Sequence, residues 1–229
     1  MELNLRKPIL YLITRGATAE TTTPASEEFR NILLQVSAAV AAGIQLIQIR
    51  EKNLTARVLF QLTTSVVAIA SGSSTRILVN DRADIAAAAG ADGVHLTTHS
   101  LAPAVIRQTF GSSFLVGAST HSLNEAGEAQ REGADFVVFG PTFPSPSKEQ
   151  YGPPLGVDQL AEAARKLAPF PLIALGGISI KNANECLRAG ASGIAGISLF
   201  GEPQTLAATV EVFSDLPQHG FEEEFRREE

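Results

Sequence analysis

Eight short apolar runs recur along this chain, and a segment with helical periodicity follows each of them. The runs are continuously apolar instead of alternating, which is typical of parallel strands that are covered on both faces. In the helical segments, for example 27–42 and 55–70, apolar side chains recur at three- and four-residue spacing. This alternation of strand and helix limits the fold to the α/β class. The predicted strands are 9–14, 44–49, 76–80, 93–96, 114–119, 136–140, 171–176 and 193–198.

A glycine repeat indicates that the strand–helix units are of similar size. A glycine stands between a helix end and each even-numbered strand, as expected for a left-handed residue that ends a helix. Eight units in 229 residues match a single (β/α)8 TIM barrel, which we expect over residues 1–213. An open doubly wound sheet is the alternative, but it normally carries a glycine-rich turn after its first strand, where only Gly16 stands here. The repeat glycines are Gly43, Gly90, Gly133 and Gly190, and the predicted helix-start residues are Ser26, Thr55, Ser100, Ser122 and Ser179.

Composition and charge exclude several classes of protein. Hydrophobic residues make up 45% of the chain and charged residues 18%, which is a globular composition. The single cysteine rules out an internal disulfide, and the net charge of −6 argues against nucleic acid as a partner. No apolar run approaches the roughly 20 residues of a membrane span, and the N-terminus lacks an apolar signal core, so we expect a cytoplasmic protein. We expect the charged segment 214–229 to be a disordered tail; the oligomeric state, a homo-oligomer included, stays open.

Polar residues concentrate at the carboxyl ends of the predicted strands, which is where barrel enzymes carry their active sites. Gln48, Arg50 and Lys52 occupy alternate positions after strand two, so an extended chain would point them to one side. Two cations and an amide suit an oxyanion such as a diphosphate. The structural alternative is that Arg50 pairs with Glu51 or Asp81. On the first interpretation this strand end is a candidate site for an anion.

Four further strand ends carry candidate groups. Asp81, after Asn80, could hold Mg²⁺ bridged to phosphates, or could form a turn into the next helix. His121 could act as a general acid or base, or could cap the next helix. Gly177 follows strand seven and Ser198 ends strand eight, where barrels commonly bind phosphate, although turn geometry alone would also explain the glycine.

A proline-rich loop, FPSPSKEQYGPP, could close over such a site as a lid. The hydroxyls of Ser145 and Ser147 and the ammonium group of Lys148 would supply additional phosphate donors. A merely solvated loop is the alternative.

Taken in order, these motifs resemble the thiamine phosphate synthase and TenI superfamily from about residue 9 to residue 213. The resemblance implies a (β/α)8 barrel and a transferase of thiamine biosynthesis, which joins hydroxymethylpyrimidine diphosphate to thiazole phosphate and releases diphosphate. The motifs are YLIT (11–14), QIREK (48–52), NDRADIA (80–86), GADGVHL (90–96), GASTHS (117–122), FGPTFPSPSK (139–148), ALGGIS (174–179) and GIS (196–198).

The resemblance also implies a role for each matching residue. Asp81 would bind Mg²⁺ as the cofactor, and Ser119 would contact the pyrimidine. The pyrimidine diphosphate would be held by Gln48, Arg50, Lys52, Asn80 and Lys148. The thiazole phosphate would be held by Ser145, Ser147, Gly177, Ile197 and Ser198.

Two other functions, one catalytic and one non-catalytic, stay open at this point. TenI-type members include thiazole tautomerases, in which His121 would be the acid/base and no diphosphate clamp is needed. Ser100 stands where synthases typically carry a second Mg²⁺-binding aspartate, and Ser147 replaces a typical threonine, which favours the TenI branch. The retained cations and Asp81 favour the synthase. The third hypothesis is a non-catalytic regulator that binds thiazole phosphate through Gly177 and Ser198.

Overall fold

The computed structural model describes Leu5, residues 8–144 and residues 153–214. In this part of the chain eight parallel strands alternate with eight helices, and β8 pairs with β1 to close the barrel. The predicted (β/α)8 barrel is therefore confirmed, and the open sheet is excluded. The strands are β1 (Ile9–Ile13), β2 (Leu46–Ile49), β3 (Arg76–Asn80), β4 (Gly93–Leu96), β5 (Leu115–Thr120), β6 (Phe136–Phe139), β7 (Leu172–Ala174) and β8 (Gly193–Gly196). The helices are α1 (Glu27–Ala41), α2 (Ala56–Ala70), α3 (Ala83–Ala88), α4 (Pro103–Phe110), α5 (Leu123–Arg131), α6 (Gly156–Leu167), α7 (Ala183–Arg188) and α8 (Pro203–Ser214).

Both faces of the sheet are buried, which explains the continuously apolar strands. In β1, Ile9, Tyr11 and Ile13 belong to the cluster that fills the barrel interior. Leu10 and Leu12 belong to the larger cluster between the sheet and the helices. Because successive side chains point to opposite faces, each strand needs an apolar residue at nearly every position.

The repeat glycines all adopt the left-handed conformation that the sequence predicts. Gly43, Gly90, Gly133 and Gly190 have φ angles of +82°, +74°, +91° and +94°. A Cβ atom added at Gly43 or Gly90 would meet no atom within 4 Å. The requirement for glycine at these two positions is therefore conformational and does not come from crowding.

At the amino end of the barrel, side chains two residues after the repeat glycines form hydrogen bonds to the neighbouring strands. Asp92 Oδ2 accepts the Ile77 N–H at 2.8 Å, and Asp135 Oδ2 accepts the Val116 N–H at 2.7 Å. Arg107 also bonds to the Asp135 carboxylate. These contacts join neighbouring strands at the amino-terminal face of the barrel. In TIM barrels, residues at this face generally contribute to stability and not to catalysis.

The predicted helix starts are partly correct. The side chain of Thr55 accepts the Val58 N–H at 3.4 Å, and that of Ser122 accepts the Glu125 N–H at 3.2 Å, so both cap helices. Ser26 directly precedes α1, but its side chain makes no capping hydrogen bond.

Two of the predicted start residues are wrong. Ser100 lies in a turn instead, where its Oγ accepts the Thr97 N–H at 2.8 Å, and α4 begins three residues later. Ser179 donates its N–H to Asn182 Oδ1 at 2.7 Å, and α7 begins only after Asn182. In both cases the serine forms hydrogen bonds within a local turn, so its polar groups are not available to cap a helix. Among the described helices, none has the length and apolar character that crossing a membrane requires.

Candidate active site

The barrel brings the described candidate residues to one face, at the carboxyl ends of its strands. Gln48, Asn80 and Ser119 lie within β2, β3 and β5, near their carboxyl ends. The other described candidates follow a strand end directly or within three residues, and they are Arg50, Lys52, Asp81, His121, Gly177, Ile197 and Ser198. Ser145, Ser147 and Lys148 lie outside the described residues, as does the segment 215–229.

A chain of four hydrogen-bonded side chains crosses the barrel interior below this face. Gln48 Nε2 donates to Tyr11 Oη at 3.0 Å, and Tyr11 Oη lies 3.1 Å from His95 Nδ1. His95 Nε2 lies 2.9 Å from Ser119 Oγ. Burial lowers the pKa of His95 to about 3 and raises the pKa of Tyr11 well above its usual value. Both side chains are therefore neutral near pH 7.

The sequence places Gln48 beside Arg50 and Lys52 but does not reveal this interior chain. Gln48 is only 2% exposed and is bonded to Tyr11, so it belongs to the floor of the site. Tyr11 and His95 were not candidates for function. The signal that could have found them is that each is a polar residue inside an otherwise apolar strand, at an interior-facing position.

The carboxyl end of β2 carries two cations that have no carboxylate partner in the described part of the chain. Glu51, between them, is 2% exposed and accepts hydrogen bonds from Gly16 N–H (3.1 Å), Thr18 N–H (3.2 Å) and Thr18 Oγ1 (2.8 Å). The predicted alternative, in which Arg50 pairs with Glu51 or Asp81, is therefore not what the structure shows. Neither Arg50 nor Lys52 forms an ion pair with any described residue. Both are available to an anion.

Asp81 has an unusual backbone conformation at the end of β3. Its φ angle is +62°, and it is the only non-glycine residue with positive φ in the described part of the chain. Its N–H donates to His95 O at 2.9 Å. The adjacent Arg82 is bonded at 2.9 and 2.6 Å to Asp84, whose pKa it lowers, so the exposed Asp81 carboxylate forms no ion pair with a described residue. Such strain is characteristic of functional positions.

The donor set around Asp81 fits a cation that arrives with a phosphate ligand. No group of three or more His, Cys, Asp or Glu side chains suitable for a metal exists among the described residues. Ser100, whose hydroxyl is held in the turn with Thr97, adds no carboxylate. Mg²⁺ needs only one or two protein carboxylates when phosphate oxygens and water complete its shell, so the single carboxylate of Asp81 fits such an ion.

Free backbone amides lie at the ends of β7 and β8. The N–H groups of Gly177, Ile178, Ile197 and Ser198 donate to no acceptor among the described residues. Gly177 has φ +64°, and a Cβ atom there would lie 2.6 Å from Phe143 O. Glycine is therefore required both by the conformation and by the close packing of the segment after β6. Unpaired amides on neighbouring strand ends form a cradle suited to a phosphate.

His121 follows β5 and is held by the first turn of α5. Its N–H donates to Glu125 Oε2 at 2.7 Å, and its Nδ1 lies 3.4 Å from the same oxygen. The side chain is 46% exposed, so the imidazole is accessible from the mouth of the barrel. The arrangement fits both a helix-start contact and an imidazole oriented by a carboxylate.

Comparison with known proteins identifies relatives along most of the chain. A family model described as thiamine monophosphate synthase matches residues 11–200. Thiamine-phosphate synthase from Roseiflexus castenholzii is 35% identical over 206 residues, which are 90% of this chain and 90% of that protein. Thiamine-phosphate synthase from Chlorobium luteolum is 41% identical over 191 residues, 83% of this chain and 84% of that protein. Among solved structures, thiamine phosphate pyrophosphorylase from Pyrococcus furiosus aligns with a TM-score of 0.72 at 29% identity, over 88% of this chain and 95% of that one.

Proposed function

Because this chain belongs to the thiamine monophosphate synthase family, we propose that it joins hydroxymethylpyrimidine diphosphate to thiazole phosphate, yielding thiamine phosphate and diphosphate. The observation that supports the proposal is that two groups of potential anion ligands lie at the barrel mouth. Arg50, Lys52 and Asp81, which form no ion pair with a described residue, follow β2 and β3, and the amides of Gly177, Ile197 and Ser198, which have no described acceptor, follow β7 and β8. A reaction between a diphosphate and a phosphate needs two such sites.

The diphosphate would bind at the ends of β2 and β3. Arg50 would supply a planar pair of donors and Lys52 a second positive charge. Asn80 would contact the diphosphate, and Asp81 would hold Mg²⁺, which, when bound, would neutralise negative charge on the diphosphate. Lys148, from the loop after β6, would add a further cation.

The thiazole phosphate would bind at the ends of β7 and β8. The amides of Gly177, Ile197 and Ser198 would donate to its oxygens, with the hydroxyls of Ser145 and Ser147 from the loop above. Holding both substrates at one mouth turns a reaction between two solutes into one between bound neighbours.

The chemistry asks little of the protein beyond position and charge. The bond between the pyrimidine methylene carbon and the diphosphate oxygen breaks, and the diphosphate leaves with the electron pair. The aminopyrimidine stabilises the resulting cation, and the thiazole nitrogen donates its lone pair to form the new carbon–nitrogen bond. No proton is transferred in these steps, so the cations that stabilise the leaving diphosphate are the main catalytic contribution.

One observation favours a second candidate, the thiazole tautomerase. His121 Nδ1 lies near the Glu125 carboxylate, which can orient an imidazole for proton transfer. This activity would need the phosphate cradle and His121 but neither Arg50 nor Asp81. Arg50 and Lys52, which have no ion-pair partner among the described residues, have no function in it, which is why the synthase is preferred.

The purified protein, incubated with both substrates and Mg²⁺, is expected to form thiamine phosphate. Asp81→Asn should abolish most of this activity, and His121→Ala should retain it. Turnover of the thiazole isomer that depends on His121 but not on Asp81 would instead support the tautomerase. Binding of thiazole phosphate without either reaction would leave the non-catalytic regulator.

A further inference from the structure

The four-residue chain below the mouth can hold its protons in only two ways. Tyr11 has one hydroxyl proton, and the neutral His95 ring has one N–H, because burial keeps its pKa near 3. If Gln48 donates to Tyr11, the phenol must donate to His95 Nδ1. His95 then carries its proton on Nε2 and donates to Ser119 Oγ. In the other arrangement every hydrogen bond runs in the opposite direction.

Gln48 Nε2 faces the Tyr11 hydroxyl, and this contact selects the first arrangement. Two groups are then left over at the ends of the chain, namely Gln48 Oε1, which is an acceptor, and the Ser119 hydroxyl proton, which is a donor. Among the described residues, Thr142 Oγ1 is the only fully buried polar side-chain atom that lacks a partner. Gln48 Oε1 has no described partner and is not among these fully buried atoms, so we place it toward the carboxyl end of β2, on the side of the mouth.

We propose that Tyr11 and His95 are positioning residues that fix this direction, so that the mouth presents an acceptor at Gln48 and a donor at Ser119. The inference rests on the proposed function, because the aminopyrimidine carries the complementary pair. Its exocyclic amino group is a donor and its ring nitrogens are acceptors. In the reversed arrangement donor would face donor and acceptor would face acceptor, which a buried site rejects strongly.

Packing keeps the two rings of the chain in place. The Tyr11 ring meets Phe136 edge to face, with centroids 5.7 Å apart. Gly117 leaves the space that the imidazole occupies, because a Cβ atom there would lie 2.8 Å from His95 Nδ1. The rings therefore have little freedom to move, and the tautomer of His95 is the variable that sets the direction of the chain.

Tyr11→Phe tests the inference, since it keeps the ring and removes only the proton that fixes the His95 tautomer. We expect the KM for the pyrimidine diphosphate to rise roughly tenfold, while the KM for the thiazole phosphate stays at the wild-type value. Ile173→Val is the matched control, because it trims the same apolar interior without touching the chain. It should change neither KM. An equal rise in both KM values, or no rise, for Tyr11→Phe would overturn the inference.

A measurement on the unaltered protein decides the direction without any turnover. Nitrogen-15 NMR should find His95, assigned through loss of its signals in His95→Gln, as a neutral ring protonated on Nε2 from about pH 5 to 8. A proton on Nδ1 would overturn the inference even if the enzyme makes thiamine phosphate. Absence of thiamine phosphate would overturn the synthase instead, so the two failures are distinguishable. The spectrum also remains decisive if Tyr11→Phe does not fold.

Discussion

Asp81 combines two separable properties, a carboxylate and a left-handed backbone. Asparagine tolerates this conformation and has nearly the same shape, so Asp81→Asn removes only the charge. We expect kcat/KM for the pyrimidine diphosphate to fall at least about 100-fold, with the free energy of unfolding changed by less than about 0.5 kcal/mol. Asp81→Ala should lose the same activity and cost a further ~1 kcal/mol, because alanine pays for the positive φ. Steady-state kinetics and urea unfolding of both variants measure the two effects. Full Mg²⁺-dependent activity in Asp81→Asn would refute the metal role.

His95 should make the stability of the fold depend on pH in a specific direction. Its pKa is about 3 in the folded protein and near 6.5 when exposed. Between these two pKa values His95 is protonated in the unfolded chain but neutral in the folded protein. The free energy of unfolding therefore falls as the pH drops below about 6.5. His95 lowers the free energy of unfolding by at most about 1.4 kcal/mol for each pH unit below its unfolded pKa. Above pH ~7 this loss of stability is nearly absent, because His95 is then mostly neutral in both states.

Urea unfolding of wild type, His95→Gln and His99→Gln at several pH values between about 7 and 5 checks this expectation. His99 is exposed, so its replacement should leave the wild-type slope intact. His95→Gln should flatten the slope, although the variant is less stable overall. Parallel slopes for all three proteins would show that His95 is accessible to protons in the folded state.

The sequence predicted the position of the site better than the orientation of its residues. Alternate spacing suggested that Gln48, Arg50 and Lys52 point to one side. In the structure β2 ends at Ile49, and Gln48 is buried in the barrel interior, where it bonds to Tyr11. The partnership of Tyr11 with His95 joins residues 84 positions apart and depends on strand register. The positive φ of Asp81 likewise has no local signal, since aspartate adopts it only when the surrounding structure imposes it.

At the scale of elements, two glycines with similar backbone conformations should respond differently to alanine. Gly90 has φ +74° and open space around it, whereas Gly177 has φ +64° and lies against Phe143 O. Gly90→Ala should cost about 1 kcal/mol of stability and leave catalysis unchanged. Gly177→Ala should displace the strand-end loop and raise the KM for thiazole phosphate roughly tenfold or more.

Calorimetric binding of thiazole phosphate and urea unfolding of the two variants provide the comparison. Because both replacements add one methyl group at a left-handed position, the difference between them isolates the phosphate cradle from backbone strain. Equal thiazole phosphate affinity in both variants would argue against the amides of Gly177 and its neighbours as the phosphate site.

Most strand and helix bounds were predictable because each element satisfies its own local rules. The apolar runs, the left-handed glycines and the caps at Thr55 and Ser122 all indicate the same element bounds. When local preferences agree with the fold in this way, the bounds can be predicted from sequence. The helix starts predicted at Ser100 and Ser179 are wrong because these residues bond within loops. A serine hydroxyl serves a turn and a helix cap equally well, so residue type alone does not decide between them.

At the scale of the whole molecule, closure of the barrel is what gives the site two halves. The pairing of β8 with β1 brings the amides after β8 around to the same mouth as the cations after β2. The length of the chain and the count of eight units pointed to closure, but no local pattern records it. In an open sheet the two groups would lie at separate positions along an edge, and the proposed reaction would have no common site.

The net charge of the whole molecule and the local charge at the barrel mouth have opposite signs, so they act in opposite directions on an anionic substrate. The net charge of −6 should repel a diphosphate, whereas Arg50 and Lys52, which have no described carboxylate partner, should attract it at the mouth. Salt screens whichever field dominates, because the Debye length shrinks from about 30 Å at 0.01 M to about 10 Å at 0.1 M. The sign of the salt dependence therefore separates the local field from the global one.

We expect kcat/KM for the pyrimidine diphosphate, at saturating Mg²⁺, to fall roughly tenfold over this range of NaCl. Arg50→Gln and Lys166→Gln each remove one positive charge, and so they shift the net charge equally. Lys166 is paired with Glu162 at 2.7 Å in the last turn of α6, near the opposite face of the barrel. Arg50→Gln should therefore flatten the salt dependence, while Lys166→Gln should keep the wild-type slope. If kcat/KM instead rises with salt, or if the two variants behave alike, the cations after β2 do not govern substrate capture, and the diphosphate would have to bind elsewhere on the protein.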